Sequence, residues 1–146
     1  MNIRPYRPAD RDEWIRMRVA LWPDEMRDAD LDVEADAWLT RPDTMVLVAE
    51  RPGGGLAGFA ELGERVYAEG CTTSPVAFLE GWYVDADVRR QRVGAELVRA
   101  AEAWARERGY REMGSNTQLE NVDSQRAHAA LGFEEVERLV EFRKSL

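Results

Sequence analysis

The stretch Ser74–Val84, SPVAFLEGWYV, is apolar almost throughout, yet one carboxylate, Glu80, stands near its middle. A short run of this kind, rich in valine and aromatic residues, predicts a buried β-strand. Strand alternation places Val76, Phe78, Glu80, Trp82 and Val84 on one face, provided no bulge intervenes. A carboxylate flanked by Phe78 and Trp82 is costly to bury alone. Either Glu80 is paired with one of the 20 lysines and arginines of the chain, or it faces a cleft that a cation fills.

Outward from this strand the chain alternates between two periods. Upstream, NIRPY reads as a first strand, and Trp14, Met17, Val19 and Leu21 recur at helical spacing, predicting a helix from about Pro8 to Trp22. DLDVEADAWLTRP predicts a second, shorter helix that ends before Pro42. TMVLVAE and LAGFAELGERV form a hairpin about the RPGGG turn, and YAEGCTTSP is a polar loop. Downstream, Val93, Leu97, Ala100, Ala101 and Trp104 make one helical stripe closed by Gly109. YREMGSN reads as a strand, NVDSQRAHAAL as a helix closed by Gly132, and FEEVERLVEFRKSL as a last strand. The order predicts one α/β (α+β) domain over residues 1–146, with a mixed sheet and helices on both faces.

Composition narrows the function classes. With 45% hydrophobic and 33% charged residues the chain reads as soluble and globular, and no apolar run approaches the roughly 20 residues that span a bilayer. A net charge of −8 and the lack of a long basic stripe disfavour nucleic acid and favour cationic ligands. The lone cysteine, Cys71, excludes an intrachain disulfide and fits a cytoplasmic setting, as does an N-terminus without a signal-peptide core.

VDADVRRQRVGAEL carries the chain from the central strand into the long helix. First-turn N–H groups lack internal acceptors and lie at the positive end of the helix dipole, so this junction suits an anion such as a phosphate. Arg89, Arg90 and Arg92 add positive charge, and Gly94 lets backbone approach a ligand. An ordinary solvated basic surface is the competing reading.

The pattern Arg89-x-x-Arg92-x-Gly94 after an apolar strand resembles the pyrophosphate loop of the GNAT acetyltransferase superfamily. Arg92 stands where glycine is usual, which calls for a backbone angle compatible with a side chain. NVDSQRAHAALGF resembles the later family motif, with His128 where tyrosine is usual. Leu21–Trp22, the run Y..G...SPVAFLEG from Tyr67, H.ALGF and Glu137–Arg138 are similar to aminoglycoside 6'-N-acetyltransferases nearly end to end.

The resemblance implies a mostly antiparallel GNAT sheet whose central strands splay, at a bulge for which Gly81 is a candidate, to admit the pantetheine arm of acetyl-CoA. It implies cofactor contacts at Trp82, Tyr83, Val84, Arg89, Gln91, Arg92, Val93, Gly94, Ala95, Asn121, Ser124 and His128, and no metal. Glu80 then receives an ammonium and takes its proton, aided by any upward pKa shift from apolar neighbours. A backbone N–H near Trp82–Val84 polarises the thioester carbonyl. His128 either protonates the departing thiolate or bonds the cofactor. For an aminoglycoside, the implied walls are Trp22 and Tyr67 and the implied anchors Glu80 and Glu137, with Glu25 and Asp28 adding charge. Asn116 replaces an aspartate of the relatives and weakens cation attraction there. A homodimer is implied, with LVEFRKSL pairing or packing across the boundary. Acetylation of another amine, or acyl-CoA sensing without catalysis, shares the cofactor loop but does not require Trp22, Tyr67 and Glu137 to converge.

Overall fold

A computed structural model describes residues 1–146. Five strands lie in spatial order β1 to β5: β1 (Asn2–Pro5), β2 (Met45–Glu50), β3 (Leu56–Arg65), β4 (Val76–Val84) and β5 (Met113–Ser115). The first four pair antiparallel, and β5 runs parallel to β4. The helices are α1 (Arg11–Leu21), α2 (Pro23–Met26), α3 (Leu31–Thr40), α4 (Val93–Glu107) and α5 (Val122–Ala130).

The sheet is covered on both faces because its strands alternate between two apolar layers. Leu47, Ala49, Ala60 and Leu62 pack with Leu97, Val98, Ala101 and Trp104 of α4. Val46, Val48 and Phe59 pack with Trp14 and Met17 of α1 and with Ala35 and Trp38 of α3. The α4 stripe is the one its spacing predicts, and Gly109 and Gly132, at φ +84° and +90°, end α4 and α5 as left-handed residues. In α1 the pattern differs: Val19 is exposed and Arg18 is buried. Arg18 is turned inward because Glu61, in the middle of β3, is buried and takes its Nε at 2.7 Å; the same oxygen accepts from Trp14 Nε1 at 3.0 Å.

Two expectations are corrected. Glu80 does not share a face with both Phe78 and Trp82, because β4 bulges there: Leu79 pairs with Leu62 and Gly81 with Glu61, leaving Glu80 without a partner on β3. One extra residue exchanges the faces. Ala77 and Leu79 before the bulge, and Trp82 and Val84 after it, all point to the α4 layer. Residues 133–146 form no strand, since no sheet edge meets them; Val140 and Phe142 are exposed to 70% and 93%.

Arg18 and Glu61 make the most deeply buried ion pair, with side-chain exposures of 8% and 1%. Burial pushes the Glu61 carboxyl up, against the pull of Arg18 and Trp14. Removing the cation leaves a buried carboxylate unpaired. Arg18→Met is expected to lower unfolding stability by about 3–5 kcal/mol in urea titration. The double variant Arg18→Met/Glu61→Leu, which removes both charges, is expected to recover most of that loss.

Candidate functional site

β5 ends at Ser115, opposite Leu79, while β4 continues to Val84. Beyond Leu79 the β5 side of β4 has no neighbouring strand, so the alternate N–H groups of Glu80–Val84 that do not bond β3 face an open gap. The strands part where the bulge lies, one residue before Gly81. Gly81 is glycine for a different reason than the bulge: a Cβ there would lie 2.7 Å from the Trp22 ring. Trp22, in the break between α1 and α2, thus sits on β4, edge-on to Phe59 with centroids 6.3 Å apart and 5.4 Å from the Arg18 guanidinium.

The first turn of α4 closes the gap at one end. Arg92, the residue just before it, adopts φ +67°, and no side chain caps the free N–H groups of Val93, Gly94 and Ala95. That corrects the expectation for Arg92: the backbone keeps the left-handed turn that glycine would make easily, and the arginine bears the strain. Arg90 does likewise at +66°. Gly94 packs closely, since an added Cβ would lie 3.2 Å from the indole of Trp82, whose Nε1 donates to the Gly94 carbonyl at 3.2 Å. Val93 is buried, so only its backbone faces a ligand. Arg89 folds back, donating to the Val84 carbonyl at 3.0 Å and lying over the ring of Tyr83. Tyr83 packs beside Phe59 on the α1 side, so its ring points away from the α4 layer. Gln91 is exposed.

At the other end of the gap stands His128. Its Nδ1 lies 2.7 Å from the Ser124 carbonyl, an acceptor, so Nδ1 carries a proton; the Ser124 hydroxyl is 3.3 Å away. In the neutral ring Nε2 then accepts from the Ser115 hydroxyl at 2.8 Å, and Ser115 Oγ is also 3.3 Å from the Leu79 carbonyl. The imidazole stands edge-on to Trp82, with centroids 5.1 Å apart. Asn121 caps α5, its Oδ1 accepting from the Ser124 N–H at 3.1 Å, which leaves its amide NH2 free of that bond.

Glu80 is paired within the chain. Arg65 donates Nε and Nη2 to its two oxygens, both at 2.9 Å. Tyr67 projects from the loop between β3 and β4, and its phenol is raised above its ordinary value by the neighbouring Glu69 carboxylate and more weakly by Glu137. Val136, the residue before Glu137, lies against Gly70 of this loop. Glu112 fixes this loop, accepting from the N–H groups of Thr72 and Thr73 and from the Thr73 hydroxyl; these donors hold its carboxyl low. Asn116 is exposed just past β5, and Glu25 and Asp28 are exposed after Trp22. No cluster of three or more histidine, cysteine or acidic groups is placed to hold a metal.

The fold therefore sets Glu80, and Trp22 against Gly81, on the α1 side of β4, and Trp82 with His128 and the α4 turn on the other; the exposed Tyr67 and Glu137 make no hydrogen bond or ion pair with Glu80. Sequence reasoning missed Glu61, Arg18, Arg65 and Ser115. Glu61 carried the same signal as Glu80, a carboxylate inside an apolar strand; Arg65 and Ser115 carried none, because their partners lie 15 and 13 residues away in the chain.

Residues 9–133 match the Acetyltransferase (GNAT) family. The chain is 47% identical to aminoglycoside N(6')-acetyltransferase type 1 of Klebsiella aerogenes, covering 99% of this chain and 96% of that protein. It is 38% identical to the Salmonella typhimurium protein of the same name, covering 99% of each. Among solved structures, AAC(6')-Iy in complex with the bisubstrate analogue CoA-S-monomethyl-acetylneamine superposes with a TM-score of 0.89 at 36% identity, covering 99% of this chain and 98% of that one.

The strain at Arg92 is open to direct measurement. Replacing it by glycine relieves a left-handed side chain at the cost of some unfolded-state entropy, for a net gain of about 1 kcal/mol. Thermal unfolding of Arg92→Gly is expected about 2–4 °C above the parent. Arg92→Ala, which keeps the strain, is expected to show no such rise.

Proposed function

The chain belongs to the GNAT family of acetyltransferases, and we propose that it moves the acetyl group of acetyl-CoA to the 6'-amine of aminoglycoside antibiotics, a modification that confers resistance. The observation that carries this reading is the split at Leu79. It leaves one strand, β4, with a carboxylate and an aromatic wall on one side and an open, N–H-lined edge leading to an uncapped helix N-terminus on the other.

Acyl transfer needs both sides at once. The α4 turn offers Val93, Gly94 and Ala95 N–H groups to the pyrophosphate, with Arg92 and Gln91 exposed beside them, and the pantetheine arm runs along the gap toward Asn121 and Ser124. The thioester carbonyl meets an N–H of the open β4 edge, where developing negative charge is stabilised. The acceptor lies against Trp22 and Tyr67, its ammonium groups drawn by Glu80 and Glu137 and, farther out, by Glu25 and Asp28. Asn116 at the end of β5 offers the acceptor hydrogen bonds without charge. An alkyl ammonium is protonated at neutral pH, so its proton leaves to Glu80, directly or through a water, before nitrogen attacks. Attack occurs with both substrates bound. The thiolate takes its proton from His128 in its cationic form, whose Nε2–H donates to the Ser115 hydroxyl while that hydroxyl donates to sulfur, leaving a neutral imidazole and a restored hydroxyl.

The working unit in this reading is a homodimer in the cytoplasm, where acetyl-CoA is at hand. Leu139, Val140, Phe142 and Leu146 line an exposed apolar segment that no part of its own chain covers, and a second copy covers it. Sedimentation velocity at micromolar concentration is expected to give twice the 16.7 kDa chain mass. A species at the chain mass itself defeats the dimer.

The function is tested by coenzyme A release with tobramycin. Activity is expected to vanish with an analogue bearing hydroxyl in place of the 6'-amine, and Glu80→Gln is expected to lower kcat about tenfold or more. Equal turnover of the hydroxyl analogue would sink the regiochemistry; an unchanged kcat in Glu80→Gln would remove Glu80 from proton transfer.

A further inference from the structure

The carboxylate that this chemistry requires is occupied by the protein itself. Glu80 offers two oxygens, and Arg65 takes both in a fork, Nε to Oε1 and Nη2 to Oε2 at 2.9 Å each. A planar guanidinium in that position fills the in-plane sites an ammonium would use. Arg65 is supported from below by Phe78, whose ring centroid lies 3.5 Å from the guanidinium carbon. A second cation stands close by: a Cβ added at Gly63 would lie 3.7 Å from Glu80 Cγ and 3.9 Å from Nη2 of Arg41, which stacks on Trp38.

The two arginine–carboxylate pairs of β3 and β4 differ in one respect. Arg18 and Glu61 are sealed, whereas the Arg65 and Glu80 side chains are exposed to 40% and 19%. A sealed pair is fixed, because separating it strands a charge. A half-exposed pair is screened and holds together weakly, so another cation can replace one partner. Arg65 is also the last residue of β3, where the chain enters the loop that carries Tyr67.

We propose that Arg65 is a specificity-determining residue: it holds Glu80 when no acceptor is bound and is displaced by the ammonium of a polycationic acceptor. The inference rests on Glu80 being the group that receives the amine. A single amine must break two charge-assisted hydrogen bonds with nothing else to hold it in place. An acceptor whose other ammonium groups are held at Glu137 or Asp28 presents its reacting amine at high effective concentration and wins the exchange. Arg65 therefore excludes small monocationic amines from a site whose carboxylate would otherwise take them, and the displaced guanidinium keeps the Phe78 face and reaches water on its exposed side.

The test compares tobramycin with methyl 6-amino-6-deoxyglucoside, a sugar carrying one amine. Arg65→Met, which keeps the length of the stem and removes the charge, is expected to raise kcat/KM for the monoamine about tenfold while changing that for tobramycin less than about threefold. Arg65→Lys is expected to keep most of the discrimination. A selectivity ratio within twofold of the parent in Arg65→Met, or an equal fall in kcat for both substrates at constant KM, overturns the proposal; the second outcome makes Arg65 a residue that merely orients Glu80. A measurement on the unaltered protein guards against a variant that fails to fold: the Arg65 Nε–H resonance, assigned by its absence in Arg65→Lys, is expected to lose its protection from solvent exchange on saturation with tobramycin. Its persistence in the saturated complex overturns the exchange even where turnover is normal. Absence of tobramycin turnover in the parent overturns instead the functional reading, and the exchange with it.

Discussion

Between their shared registers β4 holds one residue more than β3, and that residue is Glu80. An antiparallel ladder cannot pair an extra residue, so the strand bulges, twists and exchanges its faces. Much of the site depends on this count. Without the bulge, Trp82 would turn away from the α4 layer and lose both its bond to Gly94 and its contact with His128. Gly81 would no longer present a bare backbone to Trp22. The bulge also lies where β5 stops, so the sheet opens at the point where the carboxylate emerges.

Electrostatics in the middle of the sheet follow from burying two acids in neighbouring strands. Glu61 and Glu80 lie one register step apart, and Glu80 adds to the cost of charging the buried Glu61. The chain answers with an arginine for each, and burial decides what each pair can do. Arg18, clasped between Trp14 and Trp22, serves as part of the scaffold that seats the Trp22 wall. Arg65, at a strand end and beside a loop, keeps a path to solvent. One chemical motif thus yields a structural element at the core and an exchangeable contact at the rim.

Backbone constraints decide the donor side. The α4 turn needs left-handed residues at positions 90 and 92, and both are arginine. Positive charge at the mouth of the turn is therefore retained together with backbone strain, in a segment whose N–H groups no side chain caps. The His128 ring is held by hydrogen bonds at both nitrogens, so its orientation is set before any ligand arrives.

The periodicities of the sequence were sufficient for most of the scaffold. Apolar alternation placed β2, β3 and β4, the 3.6-residue stripe of Val93, Leu97, Ala101 and Trp104 placed α4, and Gly109 and Gly132 marked the helix ends, because these signals act within one element. The motifs at Arg89–Gly94 and Asn121–Phe133 were enough to reveal the family for the same reason: each is a local turn and helix start. What tertiary structure alone decided is how distant residues meet. Gly81 pointed to a bulge in β4, but the mismatch falls on Glu80, the residue before it, and that position is set by the pairing of two strands. The partners of Glu80, Glu61 and His128 are set by register and helix rotation, and the C-terminal segment, with the alternation of a strand, has no edge in its own chain to join. Local propensity specifies an element; only the pairing of elements specifies which charge stands beside which.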